Sequence, residues 1–205
     1  MNVREWVRRA AEKIEAEAER LSRLDAAIGD GDHGHNLDRG FAAAVEALPE
    51  DVRPGRALIL AGRAIVSNTG GVAGPLYGMA WRQAGKALGD AEQVGAAEVG
   101  AALRAALQSV QELGEAVEGE KTMVDALAPA VAAYDEALAA GGDLPTCARA
   151  AAEAAERGAE ATIPMQARKG RASYLGPRSI GHLDPGAVST ALILRALADV
   201  ASRDA

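Results

Sequence analysis

Apolar residues recur at three- and four-residue spacing along almost the whole chain, and this period constrains the fold more than any other feature. In the first segment charged side chains separate the apolar positions Val3, Trp6, Val7, Ala10, Ile14 and Leu21. This is the pattern of an amphipathic helix. Aromatic residues make up only 3% of the chain, and much of its 49% hydrophobic content is alanine. Because β-branched and aromatic residues usually fill strands, the sequence predicts an all-α fold.

Turn signals divide the chain into about eight such helices and leave no convincing strand. We expect the second helix to begin at about Asn36, whose side chain can cap it, and the fourth to carry Pro75 in its first turn. Pro129 predicts a kink in the sixth helix if that helix begins as early as Thr122. We expect the eight helices to end at or near Leu21, Leu48, Ser67, Gly89, Gly114, Leu138, Ala161 and Leu197.

The connections between these helices alternate between ordinary turns and unusual segments. Successive helices joined by short turns pack as antiparallel neighbours, so all odd-numbered connections should emerge at the same end of the bundle. The even-numbered connections, LPEDVRPG, GDAEQVG and AGGDLP, have the Gly, Pro and Asp residues that are typical of ordinary turns. The odd-numbered ones are an acidic segment, a GGVAG segment, GEAVEGEKT and RKGRASYLGPRSIGHLDPGA. We therefore expect the unusual segments to meet at one end, an order that a single long crossover would break.

The acidic segment, residues 24–41, reads LDAAIGDGDHGHNLDRGF. We expect Asp25, Asp30 and Asp32 to lie together on one glycine-rich turn. Three such carboxylates repel one another unless a cation offsets their charge, and hard oxygen ligands of this kind suit Mg²⁺ or Ca²⁺. The alternative is a solvated acidic loop that caps the next helix.

Two further odd-numbered connections carry groups that suit phosphate. Gly70, Gly71 and Gly74 let backbone N–H groups approach an anion near a helix start, although tight turns between helices use the same residues. The last connection interleaves Gly, Ser, Tyr and Pro with the cations Arg168, Lys169, Arg171 and Arg178. These cations fit either a solvated face or a flap that folds over phosphates.

Two residues fit more than one role. Asp184 stands at the start of the last helix, where it is suited to be an N-cap or to face a ligand's hydrogen-bond donors. Met123 fits the core by its period, and its flexible thioether also suits a place beside a flat base.

Charge and cysteine content narrow the class of protein. A formal net charge of −7 argues against a nucleic-acid-binding surface and supplies no polybasic membrane anchor. A single cysteine, Cys147, cannot form an internal disulfide, and the N-terminus has no apolar signal segment, so we expect a cytoplasmic protein. A chain of 205 residues can form one domain, residues 1–205, although two small domains also fit this length.

Four motifs, in chain order, resemble those of a known family: LDAAIGDGDHGHNLDRGF, GGVAGPLYG, GEKTMVDAL and GRASYLGPRSIGHLDPGA. The family comprises the nucleotide-binding L subunits of bacterial dihydroxyacetone kinases, a Dak2-type domain related to the C-terminal domain of single-chain ATP-dependent enzymes. The resemblance covers essentially the whole chain. It implies an eight-helix antiparallel up-and-down barrel that binds ADP or ATP and two Mg²⁺ ions at one end.

The resemblance also implies roles for individual residues. The metal ligands would be Asp25, Asp30 and Asp32, and these would act in catalysis with Arg171, which would reach phosphate. The residues along the phosphates would be His33, Gly34, His35, Asn36, Gly70, Gly71, Val72, Ala73 and Gly74. The other residues of the nucleotide site would be Gly114, Thr122, Met123, Asp184, Pro185 and Gly186. Where this family commonly has Ser, the chain has Ala73, so we expect a hydroxyl contact to phosphate to be lost.

The implied reaction belongs to glycerol metabolism and is Mg²⁺-dependent transfer of a γ-phosphoryl group to dihydroxyacetone held on a separate K subunit. A standalone L chain favours the phosphotransferase-system route, in which bound ADP is a coenzyme that an M subunit rephosphorylates. Two alternatives stay open: an ATP-dependent kinase subunit for another short keto-sugar or polyol, and a non-enzymatic, ADP-dependent protein that binds a regulator. We expect a homodimer or a hetero-complex.

Overall fold

A computed structural model of the chain describes residues 1–203, and within them there are eight α-helices, one 3-10 segment and no strand. The all-α prediction is therefore confirmed. The helices are α1 (Val3–Ile28), α2 (His33–Glu46), α3 (Pro54–Asn68), α4 (Ala73–Leu88), α5 (Ala96–Gly114), α6 (Val124–Ala139), α7 (Leu144–Ala161) and α8 (Pro185–Ala201).

The helices pack in the order of the chain. Each contacts the next one, and α8 also contacts α1, so the contacts close into a ring. Two glycine pairs give the direction of α3 against α4: Gly55 lies beside Gly85, and Gly62 lies beside Gly78. A Cβ atom on Gly62 would stand 2.5 Å from the carbonyl oxygen of Gly78. The two helices are therefore antiparallel and meet through backbone, which residues with side chains would prevent.

Aromatic side chains join three of the helices inside the ring. The ring centroids of Trp6 on α1 and Trp81 on α4 are 4.6 Å apart, and Phe41 on α2 lies edge-on to Trp81 at 6.0 Å. The indole Nε1–H of Trp6 donates to the carbonyl oxygen of Ile193 on α8 at 3.1 Å. Buried alanines fill much of the remaining core, as the composition predicts. This packing fixes the helix ends that carry the unusual connections.

The predicted boundary of α1 is wrong. The helix continues to Ile28, so Asp25 lies in its last turn and not on a glycine-rich loop. The helix continues for two reasons. Ala26 and Ala27 have a high intrinsic helix propensity, and Ile28 is buried, which favours one more helical turn.

The predicted start of α2 is also wrong. The helix begins at His33, and Asn36 lies inside it instead of capping it. The carboxylate of Asp25 accepts hydrogen bonds from the backbone N–H groups of Asp32 and His33. A side chain of α1 therefore satisfies the first free amides of α2, a task that capping rules assign to a residue of the helix itself.

Other boundaries lie close to the predicted ones. Pro75 stands in the first turn of α4, as predicted, and α6 begins beyond Thr122, with Pro129 inside it. The long connection after α7 contains the 3-10 segment Arg171–Ser179, which is interrupted at Gly176, where φ is 56°. None of the helices within residues 1–203 has the length and apolar character that crossing a bilayer requires.

Candidate functional site

Three carboxylates meet where α1 ends and α2 begins. Asp25 is half-buried in the last turn of α1, Asp30 is exposed in the connection, and Asp32 is the N-cap residue of α2. One oxygen of each lies within 4.8 Å of the others. Burial raises the pKa of Asp25, and backbone hydrogen bonds oppose this shift. The structure thus brings together the three predicted metal ligands, although a helix end and a turn supply them.

Asp25 also holds the shape of this turn. Its Oδ2 atom accepts the backbone N–H of Asp32 at 2.9 Å and that of His33 at 3.2 Å. Its other oxygen lies so close to Gly29 that a Cβ atom there would collide with it. Asp25 therefore has a structural role that Asp30 and Asp32 do not share.

A basic segment reaches the carboxylates through one ion pair. We call residues 164–180, between α7 and α8, the basic flap. Arg171 Nη2 in this flap lies 3.1 Å from Asp30 Oδ2, and the side chains are 71% and 37% exposed, respectively. Solvent screens a pair this exposed, so it is weak and a ligand can displace it. The guanidinium group marks a position beside Asp30 where positive charge is favoured.

His33 ties the start of α2 to two other helices. Its Nε2 atom lies 2.9 Å from Ser189 Oγ on α8, and this hydroxyl lies 2.7 Å from the hydroxyl of Tyr77 on α4. Burial lowers the pKa of His33 to about 4, so the ring is neutral at pH 7. The half-buried imidazole therefore serves to position the turn that carries Asp32.

The next two residues of α2 are engaged with α1. Gly34 packs so closely on α1 that a Cβ atom would collide with the carbonyl oxygen of Ala18. The His35 ring is exposed, and its Nε2 atom lies 3.6 Å from Glu19 Oε1. The predicted phosphate contacts of these two residues stay predictions.

Asn36 connects the start of α2 with the glycine segment. Its Oδ1 atom accepts from Arg39 Nη2 at 2.7 Å, and Arg39 Nε donates to the carbonyl oxygen of Asn68 at 2.8 Å. A Cβ atom on Gly70 would stand only 2.9 Å from Asn36 Oδ1. The acidic and glycine segments, far apart in sequence, are therefore neighbours.

The first turn of α4 presents free backbone donors. Val72 is its N-cap residue, is 73% exposed, and forms no side-chain capping bond. Gly71 has φ of 65°, a conformation that other residues rarely adopt, and Gly74 lies inside the first turn beside Ala73. The leading N–H groups of a helix without a side-chain cap are suited to bind an anion.

The connection between α5 and α6 lies against the starts of α4 and α8. A Cβ atom on Gly114 would stand 3.4 Å from Leu76 of α4, and one on Gly186 would stand 3.5 Å from the backbone nitrogen of Met123. Met123 is buried, and Thr122 donates its N–H to Asp125 at 2.7 Å. These contacts bring the third odd-numbered connection to the end of the ring that carries the acidic and glycine segments.

Asp184 acts as the N-cap of α8. Its Oδ2 atom accepts the backbone N–H of Ala187 at 2.7 Å, and Pro185 occupies the first helical position. The carboxyl group is buried, and this burial raises its pKa to about 7. Of the two roles that the sequence allows for Asp184, the structure shows the N-cap.

Two buried charged residues of this end were not predicted. Asp125 accepts backbone N–H groups from Gly119 at 2.5 Å and from Thr122 at 2.7 Å, which shapes the connection before α6. Lys121 is 1% exposed and has φ of 62°. The sequence could have indicated Asp125, because it is the one charged residue in the apolar run MVDALAPAV. No comparable pattern surrounds Lys121.

The fold and this site define a class: an all-helical domain whose one end joins a carboxylate cluster, free helix-start amides and a basic flap. The model of the DAK2 domain family matches residues 27–199. The chain therefore belongs to the DAK2 domain family.

Individual relatives fit this assignment. The chain is 40% identical over 195 residues to the phosphoenolpyruvate-dependent dihydroxyacetone kinase, ADP-binding subunit DhaL, of Escherichia coli K12, covering 94% of this chain and 93% of that protein. It is 42% identical over 193 residues to an L-erythrulose 1-kinase of Mycolicibacterium smegmatis, covering 89% of this chain but 32% of that protein.

A solved structure also resembles the chain. The dihydroxyacetone kinase of C. freundii in complex with AMP-PNP and Mg²⁺ superposes with a TM-score of 0.75 at 28% identity. The similarity covers 97% of this chain and 33% of that one. The present chain thus corresponds to about a third of the length of that kinase.

Proposed function

We propose that this chain, as one domain, is the nucleotide-binding subunit of a dihydroxyacetone kinase. It would hold ADP or ATP with Mg²⁺ and pass the γ-phosphoryl group to dihydroxyacetone on a separate K subunit. The observation that carries the proposal is the pair of Arg171 and Asp30, which brings a cationic flap onto a carboxylate cluster beside free helix-start amides. The similarity to an ADP-binding subunit over nearly its full length supports it.

The carboxylate cluster fits magnesium. Its donors are oxygen atoms only, they lie within 4.8 Å of one another, and two of the three side chains are exposed and so leave room for water and phosphate. This is the ligand set that Mg²⁺ prefers. We propose that Asp25, Asp30 and Asp32 hold two Mg²⁺ ions, which would neutralise charge on the β- and γ-phosphates when bound.

Backbone groups would bind the phosphates. The first turn of α4 offers N–H groups without a side-chain cap, and Gly70 and Gly71 allow the chain to approach closely. Asn36 stands at the edge of this loop with its amide fixed by Arg39. Because Ala73 lacks a hydroxyl, this chain would bind phosphate here through its backbone alone.

Other residues would complete the nucleotide site. Gly114 lies against Leu76 of α4, and Met123 lies against Gly186 of α8. We propose that these two residues, with Thr122 between them in sequence, border the base and ribose. Gly186 and Pro185 begin α8 against Met123. Arg171 would leave Asp30 for the phosphates and stabilise the charge that develops as the γ-phosphoryl group departs.

Exposed apolar side chains at the same end suit a docking partner. The large apolar residues exposed within the described chain all follow or end odd-numbered helices: Val66, Val72, Leu113, Val117, Ile163, Tyr174 and Ile180. Tyr174 on the flap is 88% exposed. Apolar groups gathered around a polar site are typical of a protein interface. We propose that the K subunit, and in turn a phosphotransferase M subunit, dock here.

The relatives favour the coupled route and also a second acceptor. The phosphoenolpyruvate dependence of the Escherichia coli relative favours ADP as a resident coenzyme that the M subunit rephosphorylates. The 42% identity to an L-erythrulose 1-kinase favours erythrulose as an alternative acceptor, because the acceptor site would lie on another subunit or domain. The buried free thiol of Cys147 suits a reducing cytoplasm.

Mass analysis of nucleotide in the purified protein, followed by transfer assays, tests this function. Copurified ADP and phosphorylation of dihydroxyacetone only in the presence of a K subunit are expected. Faster transfer to erythrulose than to dihydroxyacetone would select the alternative acceptor. Absence of any Mg²⁺-dependent nucleotide binding would overturn the proposal.

A further inference from the structure

The buried Lys121 forms hydrogen bonds with residues that flank the basic flap on both sides. Its ammonium group donates to the carbonyl oxygen of Thr162 at 2.6 Å and also to that of His182. Thr162 is the C-cap residue of α7, and His182 comes shortly before the N-cap of α8. Between these two acceptors the chain makes the whole excursion of the flap.

The flap is also closed by backbone hydrogen bonds at its base. Gly181 N–H donates to the carbonyl oxygen of Ile163 at 2.7 Å, and Asp184 N–H donates to Thr162 Oγ1 at 3.0 Å. We call this base, residues 162–163 and 181–184, the neck. Lys121 lies under the neck and is 1% exposed, whereas Arg171 at the far side of the flap is exposed.

An ammonium group is well suited to this place. The carbonyl groups at a helix C-terminus lack intrahelical partners and are favoured by a nearby cation, so Lys121 stabilises the end of α7. One lysine nitrogen carries three donors, which lets it reach two carbonyl oxygens from different segments. Burial lowers the pKa of Lys121, and the carboxylates of Asp184 and Asp125 act against this shift.

Within the described residues, few other hydrogen bonds attach the flap to the rest of the molecule, although its 3-10 segment also contacts α1. Arg168 N–H donates to the carbonyl oxygen of Glu120, next to Lys121 in the chain, at 3.0 Å. The hydrogen bond of Ala167 N–H with Ser179 Oγ at 2.9 Å is internal to the flap. The ion pair with Asp30 is exposed and weak. The place of Arg171 therefore depends on how the neck is held and on the contact of the flap with α1.

We propose that Lys121 is a positioning residue that fixes the neck and thereby holds Arg171 over the phosphate site. This inference rests on the proposed nucleotide function. Lys121 touches neither the carboxylate cluster nor the glycine segment in any of its hydrogen bonds, so we expect its effect on the terminal phosphate to pass through the flap. An effect through its chain neighbours Thr122 and Met123 would instead weaken ADP and AMP-PNP binding equally.

A double-mutant cycle tests this role by calorimetry with Mg²⁺ and either ADP or AMP-PNP. Lys121→Met removes the donors at nearly the same length, and Arg171→Ala removes the guanidinium. Each should weaken AMP-PNP binding by about tenfold or more, the value of a lost hydrogen bond to a charged group, and should weaken ADP binding less. The double variant should bind no more weakly than the weaker single variant, because coupled residues are not additive.

Several outcomes would overturn the inference. If the fold-losses of AMP-PNP affinity of the two single variants multiply in the double variant, Lys121 acts independently of Arg171 and has a general structural role. Unchanged AMP-PNP affinity in Lys121→Met would show that Lys121 does not act on the site. A wild-type protein that binds neither nucleotide would contradict the proposed function and not this relationship, which amide exchange then tests directly. Exchange at Gly181 and Asp184 should be faster in Lys121→Met, and equal rates would refute the role in the neck.

Two further variants control the experiment. Lys13→Met removes a partly buried lysine of another site, which pairs with Asp199 at 2.9 Å between α1 and α8, and should leave both affinities and neck exchange unchanged. Lys121→Gln keeps two N–H donors, and it replaces Lys121→Met in the cycle if the latter does not fold. It should retain more AMP-PNP affinity than a variant without donors; equal loss at equal stability would contradict the hydrogen-bond mechanism.

Discussion

The guanidinium group of Arg171 lies 3.1 Å from the carboxylate of Asp30, and this pair joins the last odd-numbered connection to the first. Both side chains are substantially exposed, so the pair contributes at most about 1 kcal/mol to stability. Its importance lies in where it places two opposite charges. It places a guanidinium group, which suits phosphate, beside a carboxylate of the candidate metal site.

Asp30→Asn should abolish Mg²⁺-dependent ADP binding and leave the fold intact. The carboxylate is a proposed metal ligand, and it pairs with the exposed Arg171. Calorimetry with Mg²⁺ and with EDTA measures the affinity, and thermal unfolding checks the fold. Unchanged Mg²⁺·ADP affinity in a folded Asp30→Asn protein would remove Asp30 from the metal site.

Asp25→Ala should lose ADP binding and also stability. Without the carboxylate, the N–H groups of Asp32 and His33 lose their acceptor, which costs about 1–3 kcal/mol of unfolding free energy. Urea denaturation without metal measures this cost. Asp30→Ala is the matched control and should change the unfolding free energy by less than about 1 kcal/mol; equal losses in both variants would refute the structural role of Asp25.

The burial of Asp184 should make stability depend on pH. Its pKa is raised to about 7 in the folded protein and is about 4 in an unfolded chain. Between these values the folded state keeps a proton that the unfolded state releases. The stabilising contribution is therefore fully present below about pH 4 and falls by about 1.4 kcal/mol per pH unit up to about pH 7.

Asp184→Asn isolates this contribution, because asparagine also caps helices and does not titrate. His33 acts in the opposite direction: its pKa is lowered to about 4, so its contribution grows as the pH rises towards 6.5. The unfolding free energy of the wild type minus that of the variant, measured in EDTA, should decrease from pH 4 to pH 7. Parallel pH profiles would contradict the raised pKa.

Ala73→Ser should strengthen nucleotide binding. The hydroxyl would add a donor at the first turn of α4, where a hydrogen bond to a charged phosphate is worth about 1.5–3 kcal/mol. We expect a slower dissociation of ADP, measured by exchange with a fluorescent analogue. Ala97→Ser, exposed in the first turn of α5 after an even-numbered connection, is a control away from the glycine segment and should not change the rate. A rate unchanged by Ala73→Ser would place the phosphate elsewhere.

Arg178→Glu should weaken rescue by a K subunit without altering ADP affinity. Arg178 is exposed on the basic flap, near the proposed docking surface. Titration of the K subunit in a transfer assay gives the half-saturating concentration, which should rise. Arg149→Glu, exposed near the start of α7, makes the same charge change away from that end and should behave as wild type. Robust transfer by the isolated chain would contradict the need for a partner.

The sequence by itself determined the all-α class and the type of chemistry that each connection carries. The three- and four-residue period, the alanine content and the Gly and Pro signals are local, and helices respond to local signals. The same is true of the cap formed by Asp184, which the sequence admitted as one of two roles.

The tertiary structure alone decided how these connections combine. Asp25 caps a helix that it does not belong to, Arg171 meets Asp30, and Lys121 reaches His182, which is 61 positions away in the chain. A period or a turn signal describes residues a few positions apart, whereas these contacts depend on which helix ends the packed ring brings together. For this reason the sequence identified the carboxylates and the cations, and only the packing of the helices placed them against one another.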